Sequence, residues 1–274
     1  MEYRIAFLLT CYNRRKKTYD CLNSLFQIVP NAEVFLVDDA STDGTYDMVK
    51  SNFPAVILIK GTGNLYWSRG MYTAWKSALE GDYDFYIWLN DDIVLYPFFL
   101  QELLDCYRKA GDNSVITGVI IDRESKNVIY GGTDAQNKLN KVDGKMHTVR
   151  DMNGNVVLVP RCVVQQIGII DPHYIQGGGD TDYGYTATRN GIKVLTTTRA
   201  VAEGYANPID RLRKWDTNII QRYKYLYSPF GMNPRLGFYY FNKHHGFIKA
   251  IQYWAYLHII NILPDKLANY LHKR

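Results

Sequence analysis

The feature that most constrains this chain is a regular alternation of short apolar runs with segments of helical periodicity, sustained from residue 4 to about residue 197. Residues 4–9 (RIAFLL) form an apolar run expected as a buried strand. Helical spacing follows at Thr18, Leu22, Leu25, Phe26 and Val29, and Pro30-Asn31 ends it. Residues 33–37 (EVFLV), 56–59, 84–89 (DFYIWL), 115–121 and 193–197 read as further strands. Helices are expected from Ser41 and Thr42, as caps, through Lys50, and from about Ser68 to Leu79. Two more are expected from Pro97, suited to a first turn, to about Ala110, and from the turn Gly177-Gly178-Gly179 to Asn190-Gly191. Such alternation implies βαβ units, an α/β fold and a mostly parallel central sheet flanked by helices. Residues 131–155, rich in Gly, Asp, Asn and Lys, are expected as a mobile loop or small hairpin over the site.

Ligands of these sheets bind beyond the carboxyl ends of the strands, and polar clusters fall there. Thr10 follows the first strand, Asp38-Asp39 the second and Asn90-Asp91-Asp92 the fourth. Hard divalent cations take oxygen ligands, and Mg²⁺ is commonly held by one or two carboxylates plus substrate phosphates, so Asp91 and Asp92 fit a metal. The plainer reading is a solvated turn or a helix cap. Asp38 and Asp39 could accept a hydrogen bond from a pyrimidine N–H, or simply cap the next helix. Asp180 and Asp182, after the triple glycine, suit a general base on an acceptor hydroxyl, or again a cap. Arg69, at the head of a helix in GNLYWSRGMYTAW, is placed to grip phosphate or base oxygens, or is an ordinary surface arginine.

Taken in order, LLTCYNR, VDDASTDGT, GNLYWSRG, WLNDDI and GGGDTDYGYTATRNG resemble family 2 glycosyltransferases of the GT-A fold, over residues 4–205. The likeness is greatest to the bacterial branch that builds surface polysaccharides, rhamnosyltransferases included. The resemblance implies an inverting transfer of a sugar from a UDP- or dTDP-sugar to a hydroxyl of a glycan, lipid-linked in that branch, with Mg²⁺ or Mn²⁺ as cofactor. It assigns Thr10 and Asp39 to the nucleobase, with Asp38, Asn64 and Arg69 among the nucleotide-sugar contacts. Asp91 is turned to the ribose or the metal, Asp92 is the primary metal ligand, Asp180 is the base and Asp182 its support. Two departures stand out. Gly179 replaces the Glu of the usual Glu-Asp-x-Asp motif. The segment AVAEGYAN offers Glu203 where many relatives have a late His, so either Glu203 substitutes or the metal has fewer protein ligands.

The expected organisation is a catalytic domain over residues 1–206, with its nucleotide-sugar half at about 1–121 and its acceptor half at about 122–206. A helical, basic and aromatic extension covers 207–274. From Arg211 onward 11 Lys and Arg face only Asp216 and Asp265, among 14 aromatics, whereas the preceding part is slightly acidic. The run GFIKAIQYWAYLHIINILP reads as a helix with Phe247, Ile251, Trp254, Leu257 or His258, and Asn261 on one face. That face either packs on the core or meets an anionic membrane surface as a peripheral contact. Cysteines at 11, 21, 106 and 162 form no disulfide pattern, which suits a cytoplasmic setting. No signal peptide and no run of about 18 apolar residues is evident. No nucleic-acid partner is expected, and homo-oligomerisation is left open. Three rivals are weaker. A sugar-phosphate nucleotidyltransferase would carry a Gly-rich basic loop after the first strand, where this chain has CYNRRKK. A processive synthase would have membrane spans and a QxxRW-type motif, only faintly echoed by RLRKW at 211–215. A non-catalytic glycan-binding protein leaves the three acidic clusters unexplained.

Overall fold

A computed structural model describes residues 3–206 and 210–272, and the chain separates into two compact units, Met1–Ala206 and Asn207–Arg274. The first three residues of the expected extension, 207–209, lie outside the described residues.

In the first unit the elements run β1 (Ile5–Cys11), α1 (Arg15–Ile28), β2 (Glu33–Asp38), α2 (Thr45–Asn52), β3 (Ile57–Lys60), α3 (Tyr66–Ala78), β4 (Phe85–Leu89), β5 (Val94–Leu95) and α4 (Phe99–Ala110). They continue with β6 (Ser114–Asp122), β7 (Val128–Tyr130), β8 (Val156–Pro160), α5 (Arg161–Ile167), α6 (Gly179–Arg189) and β9 (Lys193–Gly204). All nine strands join one sheet in the order β3-β2-β1-β4-β8-β6-β9-β5, with β7 on β6. Residues alternate between its two faces, as strand geometry requires. Phe7, Leu9, Phe85, Ile87 and Leu89 enter one apolar cluster with Leu22, Leu25 and Leu103. Ala6, Leu8, Tyr86 and Trp88 enter the other with Trp75, Val163 and Tyr183. The α/β architecture expected from the sequence is present.

Parallel pairing holds across β3-β2-β1-β4 and between β6 and β9, whereas β8 runs antiparallel to both β4 and β6. The second half of the sheet is therefore mixed. Residues 131–155 form turns with isolated bridges from Thr133 to Leu139 and Asp151, and the chain then enters β8 directly. Two local expectations are corrected. Gly44 in the left-handed region, not Ser41 or Thr42, precedes α2, because the Ser41 and Thr42 hydroxyls are engaged with Asn13. Pro97 stands before the cap residue Phe98, outside the first turn of α4.

The second unit contains α7 (Ile219–Leu226), α8 (Pro234–His245), α9 (Phe247–Ile262) and α10 (Asp265–His272). Asn218 and Gln221 form a reciprocal capping box at α7, and Asn233 with Pro234 starts α8. Its buried apolar cluster is small: Leu212, Leu257, Ile260 and Ala268. Arg213, fully buried, donates to the carbonyls of Ile260 and Leu263 at the end of α9 and pairs with Asp265, which also meets Arg222 at 3.0 Å. The face of α9 expected from spacing is split. Leu257 and Asn261 are buried with Ala250 and Ile260, while Phe247, Ile251 and Trp254 are exposed, because α9 packs on its neighbours along the former line. No helix among the described residues is long and apolar enough to cross a membrane.

Candidate active site

The carboxyl ends of β1 and β2 lie side by side, Cys11 opposite Asp38. Asp39 follows, buried, with its amide donating to the Cys11 carbonyl at 2.9 Å. Its Oδ1 accepts from the Gly63 amide at 2.7 Å, and its Oδ2 from the Leu65 and Tyr66 amides at 2.8 and 2.9 Å. Asp39 thus folds the 61–66 loop and receives the first amides of α3. A carboxylate has about four acceptor positions, so one on Oδ1 remains for a ligand. Asp38 is fully buried; its Oδ1 accepts from the Ser41 amide at 2.6 Å, and its Oδ2 has no hydrogen-bond partner. Thr10 is buried against α3. A Cβ on Gly70 would lie 2.2 Å from Thr10 Oγ1, so only glycine allows this approach of helix to strand. Asn64 is exposed on the loop. Arg69 donates from Nε to the Pro172 carbonyl at 3.1 Å, which ties α3 to the segment before α6.

Beyond β4, Asn90 turns inward while the two aspartates face α1. Trp67 Nε1 donates to Asn90 Oδ1 at 2.8 Å, and Asn90 Nδ2 donates to Asn155 Oδ1 at 2.5 Å. Asp91 is buried, accepting from Thr18 Oγ1 at 3.0 Å and Arg14 Nη1 at 3.0 Å. Burial pushes its carboxyl up to about 6, opposed by Arg14 and reinforced by Asp92. Asp92 is partly exposed; its Oδ2 accepts from the same Arg14 nitrogen at 2.9 Å, and Lys17 Nζ stands 3.9 Å away. A single cationic nitrogen within 3.0 Å of both carboxylates means that the pair converges on one point suited to a cation. This fits a hard divalent ion completed by diphosphate oxygens and water. Glu203 is engaged elsewhere, with Lys126 at 3.0 Å, Arg123 at 3.7 Å and the Tyr96 hydroxyl at 3.2 Å. Among the described residues no three His, Cys, Asp or Glu side chains are grouped to hold a metal.

At the head of α6, Gly178 in the left-handed region precedes the helix, and Asp180 lies in its first turn. Asp180 is half-buried; its Oδ2 accepts from the Gly154 amide at 3.0 Å and its Oδ1 from the Thr181 amide at 2.9 Å. Asp182 is buried and accepts from the Tyr174 hydroxyl at 3.0 Å. The departure at Gly179 has a steric cause: a Cβ there would lie 2.8 Å from Ser68 Oγ and 3.0 Å from Ile170, leaving no room for a glutamate stem.

The Asp91-Asp92 turn and Asp180 are joined through Asn90, Asn155 and its neighbour Gly154, and α3 joins them through Trp67, whose amide donates to Gln176 Oε1 at 3.1 Å. Arg14, Thr18, Trp67 and Asn155 were not singled out from the sequence. Trp67 stood inside a quoted motif, and a tryptophan between a loop and a helix start is a usable signal. The 65-residue gap between Asn90 and Asn155 leaves no such trace.

The curled mixed sheet with helices on both faces is a GT-A fold. The sequence model described as glycosyl transferase family 2 matches residues 7–170, and the chain belongs to that family. No curated protein sequence matches it. Among solved structures, GalNAc-T7 with UDP, GalNAc and Mn²⁺ aligns at a TM-score of 0.59 and 15% identity, over 75% of this chain; the chain spans only 43% of GalNAc-T7. The mannosyltransferase PcManGT from Pyrobaculum calidifontis, in complex with GDP-Man and Mn²⁺, aligns at 0.57 and 19% identity, covering 95% of this chain and 71% of that one. S. aureus TarS 1–349 aligns at 0.56 and 14% identity, over 94% and 71%. At these identities the likeness is one of fold.

Proposed function

We propose that this glycosyltransferase is an inverting enzyme that moves a sugar from a UDP- or dTDP-sugar to a hydroxyl of a glycan, lipid-linked, in bacterial surface-polysaccharide synthesis; a rhamnosyl or other hexosyl group is the expected cargo. Residues 1–206 form the catalytic part. The observation that carries this reading is the network Asp92/Asp91–Asn90–Asn155/Gly154–Asp180, which holds a cation-attracting carboxylate pair and a half-buried carboxylate in one frame. Neighbours of the same fold solved with UDP or GDP-Man and Mn²⁺ support a nucleotide-sugar donor and a divalent metal.

In this reading Thr10, Asp38 and Asp39 receive the base. The remaining position on Asp39 Oδ1 is the acceptor proposed for its N–H, while Asp38, fully buried behind it, holds the Ser41 turn. Asn64 and Arg69 flank the nucleotide. Asp92, with Asp91 behind it, would hold Mg²⁺ or Mn²⁺, which offsets charge on the diphosphate when bound. Asp180 takes the proton of the acceptor hydroxyl as its oxygen forms a bond to the anomeric carbon. Attack comes from the face opposite the diphosphate, whose C–O bond breaks with the electron pair leaving on the phosphate oxygen, so configuration inverts. Asp182, buried on Tyr174, positions the first turn of α6. A thermal-shift screen of nucleotide sugars with and without Mn²⁺ tests the reading. Metal-dependent stabilisation by one UDP- or dTDP-sugar, followed by transfer with inversion, is expected. Stabilisation by a nucleoside triphosphate with a sugar 1-phosphate would overturn it in favour of nucleotidyl transfer.

The second unit is proposed to dock on the anionic inner face of the plasma membrane, which would make the protein peripheral and cytoplasmic. Ile248, Ile251, Ile259 and Ile262 follow one exposed line along α9, and Asp265, just past its end, is already paired with Arg213 and Arg222. An excess of positive charge beside an exposed aliphatic stripe suits an anionic bilayer, at about 1 kcal/mol per Lys or Arg near the surface. Co-sedimentation of the whole protein with anionic vesicles, weakened by salt, is expected. Equal and negligible pelleting with anionic and neutral vesicles would make the stripe a packing or oligomer contact.

A further inference from the structure

Arg14 is the residue for which the assigned chemistry leaves no role. It immediately precedes α1, and its backbone is pinned from both sides. Its carbonyl accepts from the Thr18 amide at 2.9 Å. The preceding Asn13, in the left-handed region at φ 50°, donates its amide to Ser41 Oγ at 2.9 Å and accepts from the Thr42 amide at 2.7 Å. The side chain, by contrast, is 39% exposed at the strand-end edge. Both of its contacts to the acidic pair run through Nη1, at 3.0 Å to Asp91 and 2.9 Å to Asp92. A guanidinium has five donors in a planar fork, so most of the fork is not engaged on the carboxylates.

Two facing carboxylates, one of them buried, are costly without a compensating cation. Arg14 supplies it, and in doing so occupies the point where the pair converges. A divalent ion bound to Asp92 cannot share that point with a guanidinium nitrogen, because the two cations repel at short range. The anion that would arrive with the ion is a diphosphate, and the guanidinium fork matches phosphate oxygens. A pinned backbone and a solvent-reaching side chain allow the exchange by rotation of the side chain alone.

We propose, resting on the glycosyltransferase reading, that Arg14 is a built-in cation that closes the Asp91–Asp92 pair in the donor-free protein, yields Asp92 to the metal, and then binds the donor diphosphate. The metal and the diphosphate consequently enter cooperatively, since each favours the arginine position that the other needs. Lys17, more distant from Asp92, stays behind as a weaker counter-charge.

The test is a pair of binding measurements on wild type, Arg14→Gln and Arg14→Lys: Mn²⁺ alone by electron paramagnetic resonance, and UDP and dTDP in saturating Mn²⁺ by calorimetry. Removing the competing cation should tighten Mn²⁺ alone by about tenfold in Arg14→Gln, while loss of the phosphate contact weakens the nucleoside diphosphate by about tenfold. Arg14→Lys, which keeps the charge, should leave Mn²⁺ near wild type and recover part of the diphosphate affinity. Opposite signs are the signature. A residue that only braced the site would weaken both ligands when removed. Weakening of both, or Mn²⁺ affinity unchanged in a folded Arg14→Gln protein, overturns the proposal. If wild type binds neither UDP nor dTDP with Mn²⁺, the proposed UDP- or dTDP-sugar donor is wrong, while the Mn²⁺-alone arm still decides whether Arg14 competes for the carboxylates.

Discussion

The two compact units use aromatic residues in opposite ways. In residues 3–206, Trp75 and Trp88 are fully buried, 5.3 Å apart edge to face, and Tyr183 packs against both at 5.4 and 5.3 Å. In residues 210–272, Trp254 is 43% exposed and Phe247 62%, around a cluster of four buried apolar residues. The first unit has enough apolar interior to hold Asp38, Asp39, Asp91 and Asp182 buried at fixed points. The second packs α8 on α9 through side chains such as Phe241 and Tyr253, stacked at 4.2 Å, adds the Arg213–Asp265–Arg222 contacts, and leaves much apolar surface outward. A substitution in the first unit should therefore act either on chemistry or on folding, depending on depth, whereas one on the outer face of the second should do neither.

The largest expected effect is at the metal. Asp92→Ala should abolish metal-dependent donor binding and leave the melting temperature nearly unchanged, because the side chain is partly exposed and contributes no packing. Unchanged UDP or dTDP affinity in Mn²⁺, measured by calorimetry, would show the metal assignment to be wrong. Trp88→Ala is the folding counterpart. Deleting this fully buried ring should cost about 3–5 kcal/mol in denaturant unfolding. A cost below about 1 kcal/mol would mean that the first unit is far looser than its packing implies.

Next comes Asp180→Asn, expected to lower turnover by about 10²-fold with donor binding near normal. Asp182→Asn should act mainly on stability through Tyr174. A severe Asp182→Asn beside a mild Asp180→Asn would reverse the choice of base.

What was legible in the sequence follows from range. Apolar runs ending in Thr10, Asp38 or Asn90 are local patterns, and they located the strands and the carboxyl edge of the sheet where the candidate site lies. β8 escaped because its short run VVLVP follows directly on the Gly- and Asn-rich 131–155 segment, and its antiparallel insertion between β4 and β6 is a long-range pairing that no local pattern encodes. Asp39 stood out as a candidate carboxylate, but its commitment to the Gly63, Leu65 and Tyr66 amides depends on a loop conformation that spacing does not encode. Arg14 closes the motif LLTCYNR, but it meets Asp91 and Asp92 across 77 and 78 residues, a pairing that no local pattern encodes. On α9, helical spacing identified a helix but not which side its neighbours would cover, since Leu257 and Trp254 are equally apolar.

The smallest expected effect on folding is the most informative for the second unit. Ile251 and Ile259 are 46% and 52% exposed. A double change, Ile251→Ser with Ile259→Ser, removes little buried area and should shift unfolding by no more than about 0.5 kcal/mol. The same side chains, if they enter a bilayer interface, would each contribute roughly 1 kcal/mol of apolar transfer. Together they should lower partitioning onto anionic vesicles by about tenfold or more at fixed salt. Lys249→Gln on the same helix should instead reduce the salt dependence of binding while leaving its high-salt remainder intact. Loss of folding stability well above about 1 kcal/mol in the double variant would place these isoleucines inside a packed interface. Retained folding with unchanged vesicle binding would remove the bilayer as the occupant of this face. The contrast between the buried Trp75 and Trp88 and the outward Phe247 and Trp254 would then rest on a protein contact instead.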